Sequence, residues 1–473
     1  MMMLPEVILA VMVSVILLLE AFLPKKQTIL PFILTQLTLV AVSVLVFIQF
    51  KSTAGAVTLF DGHYVMDALG SLSKLFIYIF SFFAFAYAYR YLQYHDTSRS
   101  DYYLLGLFAV LGMSVMVSAV SLLTLYLGLE LLSLPLYAMV AMHKHSTAST
   151  EAAMKYFILG AFASGMLLYG MSLIYGVTGQ IQLHEVAVVL QSSHSTVLMV
   201  ALIFIIAGVV FKLGAVPFHM WVPDVYQGAS APTTLFIASA PKVAAFVLLI
   251  RLLTQMLPSL QASWSQIIIV ISILSMGFGN LLAIAQANLK RMLAYSSIAH
   301  VGYTLLGVLV GTTSGYSAAL FYITTYAIVA AGVFAIIVIM TDKGVELENL
   351  EDYRGLNARN PWLAFMMLLL LFSMAGVPPT VGFLAKLGLL EALVQGGYIW
   401  LAVLALVFAI IGAYYYLRVV MFMYFEEPTE KASKTPIVMS KGMFAAISLN
   451  GSAALILGLL PTFLIDFCRI ALG

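Results

Sequence analysis

Almost the entire chain is a succession of apolar runs of roughly twenty residues, joined by short polar links. A helix of that length spans about 30 Å, the thickness of a bilayer's hydrocarbon core. The 473 residues are 63% hydrophobic and 9% charged, whereas a soluble domain carries about 25% charged residues. That composition places the chain in a membrane. Its net charge of +2 is too small to point to nucleic acid or an acidic partner.

The runs predict an all-α polytopic protein of about 14 transmembrane helices. They fall near Pro5–Leu23, Ile29–Phe50, Leu72–Tyr94, Tyr102–Val117, Ala119–Met142, Ala152–Tyr175 and Val197–Trp221. The second group is Thr233–Leu253, Ser265–Gln286, Met292–Val310, Ser317–Met340, Trp362–Val394, Ile399–Phe425 and Met443–Leu472. The first run lacks a basic flank and a small-residue cleavage site, so it reads as an uncleaved span. Loops after odd-numbered spans hold Lys25, Lys26, Arg90, Arg99, Lys144, Lys290, Arg291, Lys343, Arg354, Arg359, Lys431, Lys434 and Lys441. Loops after even-numbered spans hold little beyond Lys51 and Arg251. Positive loops stay cytoplasmic, which predicts both termini on the outer, periplasmic side.

Against this background five charges stand out, because Glu130, Lys155, Lys212, Lys242 and Lys386 lie deep inside apolar runs. A charge at mid-bilayer costs about 2.5–3.5 kcal/mol on insertion scales, so such residues face protein or water and usually mark an ion path. Two spans are also interrupted. Phe211 to His219 (FKLGAVPFH) breaks the seventh and Ala375 to Lys386 (AGVPPTVGFLAK) breaks the twelfth. The strings Ala152–Tyr156 and Ala318–Tyr322 open the sixth and eleventh spans with similar residues. Both correspondences are an odd number of spans apart, so the expected architecture is two inverted five-helix repeats, each with a broken helix. The expected division is 1–98, a three-helix segment; 99–262 and 263–426, the two repeats; and 427–473, a final span. Each break frees backbone carbonyls that lipid cannot satisfy, so each should lie in protein or water.

Several strings here resemble the antiporter-like subunits of respiratory complex I: Gly128–Tyr137 (GLELLSLPLY), Phe211–Gln227, Asn288–Tyr303 and Tyr353–Leu356. They cover the middle two-thirds of the chain. Within that family Lys386 stands where the M-type sibling has a glutamate, and the sequence stops at Gly473 without the lateral helix of the L-type sibling. The resemblance implies a proton-translocating membrane-arm subunit of a bacterial inner-membrane NADH:quinone oxidoreductase, a translocase, in contact with antiporter-like siblings and the lipid bilayer. It also implies that NAD, FMN, iron–sulfur clusters and quinone belong to partner subunits. The single cysteine, Cys468, agrees, because clusters need several thiolates. The rival is a D-type subunit of a multisubunit sodium/proton antiporter, which shares much of the lysine pattern.

Carried over residue by residue, the resemblance makes Glu130 the fifth-span carboxylate and Lys212 its partner, with Lys155 a modulator beside them. Lys242 becomes the central relay, and His300 bridges to the exit lysine Lys386. His219, Pro217, Pro378 and Pro379 become inlet and gating elements. A free lysine holds its proton with about 4–5 kcal/mol to spare at pH 7. Burial supplies a penalty of that size, and a carboxylate at 4 Å offsets it by about 4 kcal/mol at an effective dielectric of 20. A carboxylate that moves therefore loads or unloads such a lysine. Simpler readings are a structural Glu130–Lys212 ion pair and a snorkelling Lys155. Lys74 and Arg418 read as interface anchors, and Tyr414–Tyr416 as part of an aromatic belt.

Overall fold

The computed structural model describes residues 2–22, 29–52, 55–94, 99–192, 195–341, 346–428, 437 and 439–472. Lys25, Lys26, Lys343, Lys431 and Lys434, which carry part of the loop-charge asymmetry, lie outside the described residues. The helices run α1 (Leu4–Phe22), α2 (Ile29–Ser52), α3 (Ala68–Tyr94), α4 (Arg99–Val117), α5 (Leu122–Val140), α6 (Thr147–Thr178) and α7 (Leu183–Leu190). Next come α8 (Thr196–Leu213), α9 (Trp221–Gly228), α10 (Ala231–Ala238), α11 (Ala240–Arg251), α12 (Gln261–Ile284), α13 (Leu289–Leu309) and α14 (Thr313–Met340). The chain continues through α15 (Leu356–Arg359), α16 (Pro361–Ala375), α17 (Val381–Gln395), α18 (Ile399–Phe425), α19 (Lys441–Leu459) and α20 (Thr462–Leu472).

Among the described residues thirteen helical segments are long and apolar enough to cross a membrane, α10 and α11 counting together as one. The pair α16–α17 supplies the interrupted twelfth crossing, which agrees with the apolar runs. Small polar residues start many of these helices where the runs begin: Ser121, Ser146, Asn288, Thr312, Asn360 and Ser440 each accept a backbone N–H of the first turn. Such caps satisfy donors that the helix itself leaves free.

Three features depart from the sequence expectation. The last run is two helices rather than one, because Pro461, which has no N–H, separates α19 from α20. The eighth run is also divided: α10 ends at Ala238, and α11 begins at Ala240 beside Pro241. Between α2 and α3 lies a short antiparallel hairpin, Val57–Leu59 with Tyr64–Met66. It is tied to the α4–α5 link by the Val65 N–H donating to the Ser118 carbonyl at 2.8 Å.

Helices α11, α13 and α14 form the buried centre. Around it, α4 crosses α5 and α12 crosses α13 at glycines. A Cβ on Gly112 would lie 2.4 Å from the Leu132 backbone nitrogen, and one on Gly128 would lie 2.7 Å from that of Met116. In the later pair a Cβ on Gly279 would lie 2.6 Å from the Ala299 nitrogen, and one on Gly302 would lie 2.9 Å from that of Met276. Small residues of this kind let membrane helices pack backbone to backbone.

Candidate functional site

The first break follows from a left-handed glycine. Helix α8 stops at Leu213 because Gly214 takes φ 78°, and its N–H turns back to the carbonyls of Val210 and Phe211, each at 2.9 Å. Only glycine adopts that conformation without steric cost. The Leu213 carbonyl is then free, and the Lys242 ammonium donates to it at 2.5 Å. Lys242 is 1% exposed; the division of the eighth span beside Pro241 starts a new helix just before it. Its Nζ also lies 6.0 Å from the Trp221 ring centre.

The second break has the same form. Gly376 takes φ 86°, with its N–H on the carbonyls of Phe372 and Ser373 at 2.9 and 3.1 Å. The freed carbonyls of Met374 and Ala375 accept the Lys386 ammonium at 3.1 and 2.8 Å. When Gly214 is matched to Gly376, the counterpart of Lys212 is Met374, not a lysine. The lysine seated on the first break comes instead from the next span, as Lys242 on the Leu213 carbonyl.

Lys212 points away from its break. It is buried and donates to the Ser133 hydroxyl at 2.8 Å, and its Nζ lies 5.9 Å from the Tyr156 ring centre. Ser133 is one turn beyond Glu130 on α5, and Glu130 itself accepts from Ser164. Glu130 and Lys212 thus face the same stretch of α5 without a direct ion pair between them. Ser133 is absent from the sequence-stated roles, although it stands inside the string Gly128–Tyr137.

Between the breaks, His300 is buried with Nδ1 2.8 Å from the Tyr322 hydroxyl and Nε2 3.0 Å from that of Tyr416. Tyr416 also bonds Ser296, and the Tyr415 hydroxyl donates to Asn280 at 3.1 Å. Tyr415 and Tyr416 are buried, so the aromatic-belt reading fails for them; Tyr414 alone of the run is exposed. A helix turns about 100° per residue, which sends its neighbours inward. A cavity of about 20 Å³, room for one water molecule, is lined by His300, Tyr322, Thr325, Tyr326, Ser373 and Lys386. His300 and Lys386 therefore share one small chamber. Tyr156 and Tyr322, the tyrosines that close the two repeated strings, both sit beside this row; that repetition was the available signal.

Lys155 lies elsewhere. Its side chain is 43% exposed and pairs with Glu151 and Asp224, both at 2.7 Å, while Arg291 reaches Asp224 at 2.8 Å. The expectation of deep placement fails because α6 has 32 residues, about 48 Å of helix, so its first turns project past a bilayer core. His219 is half-buried just beyond the first break, and Pro217, Pro378 and Pro379 are exposed on the surface of the chain.

Other buried cations are tied to carboxylates. Lys74, expected at an interface, is 3% exposed and meets Glu6 at 2.5 Å and the Tyr64 hydroxyl at 2.8 Å. Arg251, counted as a loop charge, is fully buried; it grips Asp67 at 3.0 and 2.8 Å and donates to the Val117 carbonyl. Lys290, also counted with the loops, is buried between Glu346 at 2.7 Å and Glu348 at 2.8 Å. Burial pushes the Asp67 and Glu346 carboxyls up, but Arg251 and Lys290 outweigh it and hold both below the usual carboxylate range. Arg418 donates to the carbonyls of Ile284 and Gln286 at the end of α12. Lys212 and Lys242, both buried, and the half-buried Lys386 differ from Lys74, Arg251 and Lys290: among the described residues their hydrogen bonds go to neutral oxygens only.

A family model described as NADH:quinone oxidoreductase/Mrp antiporter, TM, matches residues 119–412. The NADH-quinone oxidoreductase subunit N of Coxiella burnetii is 52% identical over 472 residues, covering 99% of this chain and 97% of that protein. A chain of respiratory complex I from Thermus thermophilus superimposes with TM-score 0.85 at 32% identity, over 99% of this chain and 100% of that one. A chain of the Mrp complex from Dietzia sp. DQ12-45-1b reaches TM-score 0.86 at 21% identity, over 99% of this chain and 96% of that one, a likeness of fold alone.

Proposed function

The chain belongs to the NADH:quinone oxidoreductase/Mrp antiporter family, and on that footing we propose that it is the proton-translocating membrane-arm subunit of a bacterial NADH:quinone oxidoreductase. The observation that carries the reading is the contrast among the cations inside the bundle, which are buried or, for Lys386, half-buried. A lysine locked to a carboxylate holds its proton as part of an ion pair, and removing either partner strands a charge. Among the described residues Lys212, Lys242 and Lys386 have no such partner, so each can become neutral without leaving a locked carboxylate behind. Lysine suits the role because its charge responds to burial, whereas arginine stays charged.

Protons reach the row from the face bearing the basic loops, past Lys155 and His219. Glu130 acts on Lys212 across Ser133: a carboxylate brought to 4 Å stabilises the ammonium by about 4 kcal/mol at an effective dielectric of 20, and its withdrawal releases that hold. Lys242 relays between the halves. His300, with one ring nitrogen on each tyrosine hydroxyl, passes the proton to Lys386 through the chamber they share. The two glycine-capped breaks and the two glycine crossings support the reading of the halves as inverted repeats. Redox chemistry belongs to partner subunits, in an inner membrane with both termini outward.

The test is Lys242→Ala in the assembled complex, reconstituted in vesicles with NADH oxidation and proton uptake followed together. The expected result is a lower number of protons moved per NADH in a complex that still assembles. An unchanged ratio would refute the role.

A further inference from the structure

Beyond the chamber that holds Lys386, a second cavity of about 200 Å³ lies along the same seam between α14 and α17, lined by Ser314, Ser317, Gly388, Glu391, Gln395 and Arg469. The two cavities use consecutive residues on both helices. Tyr322 and Ala385 line the inner one, while Phe321 and Leu384 line the outer one. The cavities therefore lie on adjoining faces of the two helices, with Ala385 on the inner side and Gly388 on the outer side of α17. A Cβ on Gly388 would meet nothing nearer than the Ala318 Cβ at 4.0 Å, so open space remains there. The outer cavity reaches Ser314 at the start of α14 and Gln395 at the end of α17, the face poor in loop lysines. Glu391 sits five residues beyond Lys386, about 7.5 Å along the helix axis.

We propose that this outer cavity is a water-filled release vestibule and that Glu391 is the group that takes the proton leaving Lys386 and hands it to bulk water. The proposal rests on the function given above and adds a residue and a route to it. The chemistry is a simple relay: the carboxylate gains the proton as the ammonium loses it, then returns it to solvent water, so no other reactant is needed. Glu391 is placed for this work because it is exposed and its side chain is held only by the Gln395 amide at 3.3 Å. No ion pair ties it down among the described residues. Arg469, on the other wall, makes no hydrogen bond or ion pair among the described residues and supplies the opposing positive charge. It comes from α20, so the terminal helix beyond Pro461 completes the vestibule.

The test uses the intact complex in vesicles, with protons moved per NADH as the readout, for Glu391→Ala, Gly388→Leu and Lys386→Met. Glu391→Ala is expected to lose part of the ratio and to regain it when millimolar azide or formate, small weak acids that fit the cavity, is added. Gly388→Leu fills the open space and is expected to lose the ratio without rescue by either anion. Rescue separates a missing proton carrier from a merely damaged fold, which no small acid repairs. If Lys386→Met loses the ratio while Glu391→Ala keeps it, or loses it beyond rescue, the vestibule proposal falls and the function stands. If Lys386→Met keeps the full ratio, the function itself falls.

Discussion

Lys386 has two tasks under the proposed function, and a pair of substitutions separates them. Its ammonium supplies the hydrogen bonds that the Met374 and Ala375 carbonyls lost at the break, and in the proposed function it carries the proton on its last step through the row. A hydrogen bond from a charged donor contributes about 1.5–3 kcal/mol. Lys386→Met leaves both carbonyls without a donor, so it is expected to weaken the break by at least that amount and to cut proton movement. Lys386→Arg keeps a charged donor, and the neighbouring chamber of about 20 Å³ gives the larger guanidinium somewhere to settle. Arginine, however, retains its proton across the accessible pH range. The expected outcome is an arginine complex that assembles and melts like the unaltered one but moves fewer protons per NADH. The methionine complex should fail on both counts. Native electrophoresis and thermal unfolding read the first quantity, and vesicle acidification against NADH oxidation reads the second. A Lys386→Arg complex with an undiminished ratio would show that this lysine need not release its proton, and the mechanism built on it would collapse.

Two further outcomes are expected. Asp67→Asn strands the fully buried Arg251 and should cost about 3–5 kcal/mol, with part recovered in the Asp67→Asn/Arg251→Met double variant; thermal unfolding of the purified complex decides it. Because the Asp67 carboxyl is held below its ordinary value, its contribution is complete at neutral pH and fades as pH falls below about 3.9 toward the lowered folded value, so the Asp67→Asn penalty should shrink in acid. Tyr416→Phe removes one of the two hydroxyls holding His300 and should slow proton transfer by roughly 2–10-fold, the equivalent of about 0.5–1.5 kcal/mol, with assembly intact; unaltered transfer would remove Tyr416 from the path.

The spans were legible because a run of twenty apolar residues has few alternatives in a bilayer, and the glycine–proline strings announced both breaks in the seventh and twelfth. The roles of the buried cations were not legible in the same way. Whether a lysine is locked depends on carboxylates that the fold brings from far along the chain: Glu6 to Lys74, Glu346 to Lys290, and Asp67 to Arg251. Local sequence says nothing about such meetings. The acceptor of Lys242 is likewise a backbone carbonyl 29 positions earlier, a kind of group every residue carries. The divided eighth span did leave a mark, Pro241, but a proline directly before a lysine looks the same in a merely kinked helix. Lys155 misled for a simpler reason: the apolar run around it continues well past the length a membrane needs.

The glycine crossings have a mechanical consequence. Where Gly112 meets Leu132 and Gly279 meets Ala299, main chain lies against main chain, with no flexible side chain between to slide or repack. Each pair moves as one stiff strut. Deformation must then collect where the chain is already severed, at the two glycine-capped gaps. Any stroke arriving from a distant quinone would be felt at the lysines bridging those gaps before it is felt anywhere else.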